Sequence, residues 1–278
     1  MDPRTLLRLC SFTYFDLPDC YARRLARGEK VPLAEVARAL RRLEALGALA
    51  CGAYLEDAQT LFAALETSKL RILAYENDNA GTGFVAYAFA APGTTIVAVR
   101  GSETKGACVP TNVDWRDNFC APLTGSVQYA AASAFADRWK GPLLLTGHSK
   151  GGNVALYAQS AAREACAAVF NAQGFACHAL TKEQKRRLRE GAVNYVVAGD
   201  VVGALLCHPE RRFYVRQVAG TNAHSPDAYA FDDAGFPIPG KRTCLSRAVE
   251  ILSRLFLALE TLGFTNITRR LLPCPAMA

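Results

Sequence analysis

Apolar residues in the first seventy positions recur at the three-to-four-residue spacing of amphipathic helices. In PLAEVARALRRLEALGALA, Leu33, Val36, Ala37, Leu40, Leu43 and Leu46 share one face, with Pro32 near the start and Gly47 near the end. A second helix is expected from about Glu56 to Thr67, where Ala58, Leu61, Phe62 and Leu65 repeat the pattern. The period then changes. GFVAYAFA and TTIVAVR are β-rich runs separated by APG, a hairpin signal. After a polar, irregular stretch over 101–125, a helix is expected from about Ser126 to Trp139, followed by the apolar run PLLLT and a helix from Asn153 to Glu164. AAVFNAQG, AVNYVVAG and RFYVRQV are three further strand candidates, with a charged helix over 181–190 between the first two. LSRAVEILSRLFLALETLGF reads as a long amphipathic helix.

This alternation predicts an α/β fold with a mainly parallel sheet covered by helices on both faces. No repeat, low-complexity tract or linker divides the chain. One domain over 1–278 is therefore expected, with a helical N-terminal region (1–70), a core (82–235) and a C-terminal helical region (243–278). At 278 residues, 51% hydrophobic and 21% charged, the chain can bury a substantial core. The net charge of +7 is spread over clusters within helical patterns, so no nucleic-acid partner is expected. The ten cysteines include no C-x-x-C pair, and no metal or other cofactor is expected. The N-terminus lacks the basic and then apolar pattern of a leader, and no 18-residue uncharged apolar run occurs. The expectation is a cytoplasmic protein whose cysteines are free thiols.

The sharpest local signal is Gly147-His148-Ser149-Lys150-Gly151, between the strand ending at Thr146 and a helix. A nucleophilic serine at a strained strand-to-helix turn needs small residues two before and two after it. The following helix supplies free amides and its positive dipole end, and the Lys150 amide is the expected first oxyanion donor. The competing reading is a glycine-rich turn. A phosphate loop of the G-x-x-x-x-G-K-[ST] type is absent. His148, inside the turn, reads as packing.

A serine nucleophile needs a base and an acid, and the chain holds four histidines. His178 follows too soon after the nucleophile helix. His208 reads as the cap of an apolar helix. His224, in the polar loop of AGTNAHSPDAYAF, is the favoured base, following the chain order serine, acid, histidine. Asp200, ending the strand of VNYVVAGDVVG, is the favoured acid, and it equally suits the N-cap of a following helix. Asp227, Asp232 and Asp233 are substitutes, close in sequence to His224.

These stretches, with LLRLCSFTYFDLP, IVAVRGSE and DWRDNF, make the chain resemble a bacterial α/β-hydrolase family of uncharacterised function, itself similar to class-three (fungal triacylglycerol-type) lipases. The resemblance implies the α/β-hydrolase fold and a triad of Ser149, Asp200 and His224. It also implies a second oxyanion donor at Ser102, where threonine is more familiar. Asp114, Trp115 and Asp117 match a family stretch in a structural or substrate-facing role. The activity implied is that of a cofactor-independent esterase or lipase acting on a small-molecule or lipid ester. The segment 245–262 could touch a membrane surface, packing on the sheet being the plainer reading. The rivals are a hydrolase fold that only binds, keeping the elbow but losing the triad geometry, and a cysteine enzyme built on Cys207.

Overall fold

The computed structural model describes residues 1–49, 57–103, 117–118, 121, 125–162, 164–176 and 178–262. In chain order the helices are α1 (Pro3–Phe12), α2 (Asp19–Ala26), α3 (Leu33–Ala45), α4 (Ala58–Leu65), α5 (Gln128–Ala136), α6 (Lys150–Ala161), α7 (Lys182–Gly191) and α8 (Cys244–Thr261). The strands are β1 (Val31–Pro32), β2 (Arg71–Asp78), β3 (Phe84–Ala91), β4 (Thr94–Val99), β5 (Leu143–Gly147), β6 (Ala165–Phe170), β7 (Ala192–Val197) and β8 (Arg211–Val215).

The strands form one eight-stranded sheet in chain order. β1 to β4 pair antiparallel, and β4 to β8 pair parallel, with an α-helix in each crossover except the last, which holds a single 3₁₀ turn. Strand periodicity divides the core. Tyr87, Phe89, Ile96 and Ala98 point towards α1, α3 and α4, while Ala86, Ala88, Val97 and Val99 point towards α5 and α6. Both faces of the central strands are thus buried under helices, as the apolar runs imply. This is the α/β-hydrolase fold.

Several expectations need correction. The N-terminal seventy residues are not purely helical: Val31 and Pro32 pair with Ile72 and Arg71, adding an antiparallel edge. β2 escaped the pattern because only Ile72 of its eight residues is buried, the rest being half-buried or exposed, so apolar alternation is weak. After Asp200 the expected helix shrinks to a single 3₁₀ turn over Val202–Ala204. Helix α8 was expected to pack on the sheet by its apolar side, and it turns Ser246, Leu257 and Glu260 inward instead.

The cysteine reading also changes. Cys10, Cys20, Cys166 and Cys244 are free, but Cys207 is disulfide-bonded. A structural disulfide favours an oxidising compartment, so the argument from free thiols to the cytoplasm loses its footing. Among the described residues no helix is long and apolar enough to cross a membrane, and no cluster of side chains suits a metal ion.

Candidate active site

Parallel strands β4 to β8 end at one edge of the sheet, and the chemistry-bearing residues lie just beyond those ends. Val99 is in register with Gly147, and Val197 with Val215. Ser102 and Ser149 therefore leave neighbouring strands together, as do Asp200 and the longer loop that carries His224.

Ser149 stands two residues past the end of β5 and directly before the first residue of α6, with φ 58° and ψ −127°. Positive φ at a non-glycine residue is strained, and the surroundings hold it there. The Ser149 amide donates to Phe170 O at 2.9 Å, and its carbonyl accepts from Gly152 N and Asn153 N. A Cβ on Gly147 would run into the backbone of Gly151, and one on Gly151 into the carbonyls of Val99 and Arg100. The two glycines let β4, β5 and α6 meet at one corner.

The structure brings Ser149, His224 and Asp200 together. His224 Nε2 lies 2.9 Å from Ser149 Oγ, and His224 Nδ1 lies 2.9 Å from Asp200 Oδ1. Asp200 is buried, and its Oδ2 accepts from Gly203 N at 2.6 Å while Oδ1 also accepts from Val202 N at 3.3 Å. One carboxylate thus meets both the imidazole and two backbone amides of the turn that follows it. The imidazole is about a third exposed, so it faces the outside while its partner carboxylate does not.

His148 packs behind this pair, its ring 5.0 Å from that of His224. Burial, with the nearness of His224 adding to it, holds the His148 imidazole well below its ordinary value. It therefore stays neutral and places no positive charge against its neighbour. His208 is no helix cap, since no helix forms there; its buried Nδ1 lies 2.7 Å from Glu210 Oε1. His178 is exposed. Asp227 bonds locally to Ser225, and Asp232 accepts from Phe236 N, so neither meets the His224 ring through these contacts.

Two residues that the sequence reasoning passed over hold the site. Asn171 is fully buried, with φ 44°. Its Oδ1 accepts from Val197 N, three residues before Asp200, and its Nδ2 donates to Ala223 O, beside His224. One side chain thus fixes the strand before Asp200 and the loop of His224 relative to each other. Its only sequence signal is an asparagine directly after a buried strand. The second is Asn118, whose Nδ2 donates to Ser102 Oγ at 2.7 Å. Ser102 itself is buried just after β4.

Asp117 and Lys150 form a buried ion pair, Nζ to Oδ2 at 2.7 Å, with both side chains almost wholly inaccessible. The same carboxylate accepts from Ser126 Oγ and from Val127 N, at the entry to α5. Asp117 thereby secures the residue whose amide follows Ser149. Asp114 and Trp115 lie outside the described residues. Asp117→Ala is expected to cost about 3–5 kcal/mol of stability, because it removes the carboxylate from a buried ammonium. Urea unfolding would measure this, and an unchanged midpoint would show that the pair carries no such load.

The motifs that carried the family resemblance also meet in space. Buried Arg100 donates to Thr13 O, to Asp16 Oδ1 at 2.6 Å and to Glu103 Oε1 at 2.7 Å, joining the stretch after α1 to the end of β4. Cys10 Sγ sits 3.2 Å from Thr146 Oγ1, just ahead of the elbow. Burial pushes the Cys10 thiol up to about 12, so it is no nucleophile.

A family model described as Mbeg1-like matches residues 62–258, from α4 into α8. The chain belongs to the Mbeg1-like family. That agrees with the lipase-like character read from the motifs. Among solved structures this Mbeg1-like chain is similar to one described as a fungal lipase, at 12% identity over 88% of each chain with a TM-score of 0.48. It is also similar to a mono- and diacylglycerol lipase from Aspergillus oryzae, at 13% identity over 84% of this chain and 90% of that one, TM-score 0.45. A third is the Lip2 lipase from Yarrowia lipolytica, at 10% identity over 91% and 88%, TM-score 0.44. Comparison with curated proteins gives no match.

Proposed function

We propose that the protein is a serine hydrolase that cleaves carboxylic esters through an acyl-enzyme. The observation that carries this reading is the continuous hydrogen-bonded chain from Ser149 Oγ through His224 to Asp200. His224 Nε2 takes the hydroxyl proton as Ser149 Oγ attacks the ester carbonyl. Backbone amides of Lys150 and Ser102 receive the developing oxyanion, at the start of α6 and just past β4. Asp200 holds the Nδ1–H tautomer and steadies the imidazolium. His224 then gives its proton to the departing alcohol. Water, deprotonated by the same nitrogen, releases the acid and restores Ser149.

The rival of a hydrolase fold that only binds called for an elbow without its partners. The 2.9 Å contacts on both sides of His224 favour the enzyme. A cysteine enzyme built on Cys207 is disfavoured, since that sulfur is in a disulfide.

The test is fluorophosphonate labelling of the folded chain, followed by p-nitrophenyl esters of rising acyl length. Wild type should label and turn over ester, and His224→Ala should do neither at a comparable rate. Folded wild type that never labels would sink the proposal.

A further inference from the structure

Helix α8 is mounted the wrong way round for a core helix. Leu245, Ile251, Leu252, Leu255, Phe256 and Leu262 are between 43% and 70% exposed. On the helix they form one broad apolar face, with 245, 252, 255 and 262 along its centre and Ile251 and Phe256 flanking them. The opposite, largely polar face makes the contacts. Ser246 and Glu260 are buried, Leu257 packs on Ala176 and Leu206, and Ser253 Oγ accepts from Leu206 N at 2.9 Å. An amphipathic helix on a globular protein normally does the reverse. A contiguous exposed face of this kind marks a binding surface.

Charge identifies the occupant. Both acids of the helix turn inward. Glu260 is buried, and Glu250 is enclosed by Arg212 at 2.9 Å, Arg242 and Arg254 at 3.6 Å. That cluster holds three arginines to one glutamate and is net positive. Arg247 and Arg254 remain exposed along one border of the apolar face. The helix thus offers water an apolar face and a basic rim whose one neighbouring acid, Glu250, is largely covered and already shared among three arginines. Pairing with a second copy would bring arginine rim against arginine rim with no exposed carboxylate on the helix to neutralise it. An anionic bilayer surface satisfies both features, acyl chains taking the leucines and lipid phosphates or carboxylates the arginines.

We propose that α8 docks this protein on an anionic lipid surface, lying in the interface with its apolar face down. The helix rests on the Val202–Ala204 turn that follows Asp200, so docking sets the Ser149 edge of the sheet beside the membrane. That the site then draws its ester from that surface rests on the hydrolytic reading; the docking itself does not.

The experiment is flotation of the full-length chain with vesicles of phosphatidylcholine alone and of phosphatidylcholine mixed with phosphatidylserine, beside turnover of a soluble p-nitrophenyl ester. Wild type should float with the anionic vesicles and be released by salt. Leu252→Asp/Leu255→Asp should lower the bound fraction by about tenfold, and Arg247→Glu should weaken binding to the anionic vesicles in particular. Soluble-ester turnover in these variants should match wild type, which shows that they fold. Failure of wild type to float overturns the proposal, and so does flotation that the α8 substitutions leave intact. A dimer in light scattering that the same substitutions dissociate assigns the face to a second copy and also overturns it. Absence of ester turnover alongside normal flotation removes the hydrolytic reading and leaves the docking standing.

Discussion

Ser149→Ala is expected to lower the turnover of a p-nitrophenyl ester by about a million-fold, to the level left by the remaining site. Its side chain has one bonded partner described, His224 Nε2 at 2.9 Å, so little of the fold depends on the hydroxyl. The backbone contacts that hold the turn, Ser149 N to Phe170 O and Gly152 N to Ser149 O, survive the change. The variant should therefore melt near wild type while losing its chemistry, a combination that a mere turn residue would not give. Initial rates beside a thermal melt are enough. A folded alanine variant within tenfold of wild type would falsify the nucleophile assignment.

Asp200→Asn is expected to cost about ten-thousand-fold in kcat while leaving the fold in place. Both carboxylate oxygens accept from N–H groups: Oδ2 from Gly203 N, and Oδ1 from Val202 N and His224 Nδ1. An asparagine has only one oxygen, so its amide nitrogen must face one side. Facing Gly203 N sets donor against donor at 2.6 Å. The lower-energy choice keeps oxygen on Gly203 N, gives up the longer bond from Val202 N and points the amide nitrogen at His224 Nδ1. The imidazole must then accept there, which puts its proton on Nε2, where it can no longer take one from Ser149. Steady-state kinetics on the folded variant decide the matter. If Asp200→Asn keeps its rate while Ser149→Ala does not, Asp200 is a cap only, and the acid lies elsewhere.

Local signals carried most of what the sequence disclosed. The elbow is legible because its glycines, its strand and its helix all lie within about twenty residues. Asp200 and His224 could be named because each follows a recognisable apolar strand. Their meeting rests on Asn171, whose two bonds reach 26 and 52 residues along the chain, and nothing in VFNAQG announces that. The Lys150–Asp117 pair spans elements in the same way and is equally silent in the sequence. β2 was missed because it is half-covered, whereas a helix was expected after Asp200 because apolar VVGALL supplies the composition of one, while the chain there makes only a 3₁₀ turn. For α8 the periodicity disclosed an apolar stripe but not the direction it faces, and that direction is what matters there. Cys207 shows a further limit, since spacing alone does not reveal a disulfide.

The burial of Lys150 gives the molecule a built-in reporter of its own folded state. With its ammonium against Asp117 and its side chain 2% accessible, amine-reactive reagents and trypsin should pass it over while the chain is folded. Once the chain unfolds, cleavage after Lys140 and Lys150 releases the decapeptide Gly141–Lys150, with Ser149 next to its C-terminus. A mass spectrum of that single peptide would therefore record two things: whether the serine carried an adduct, and whether the lysine beside it had been sheltered when the reagent was added.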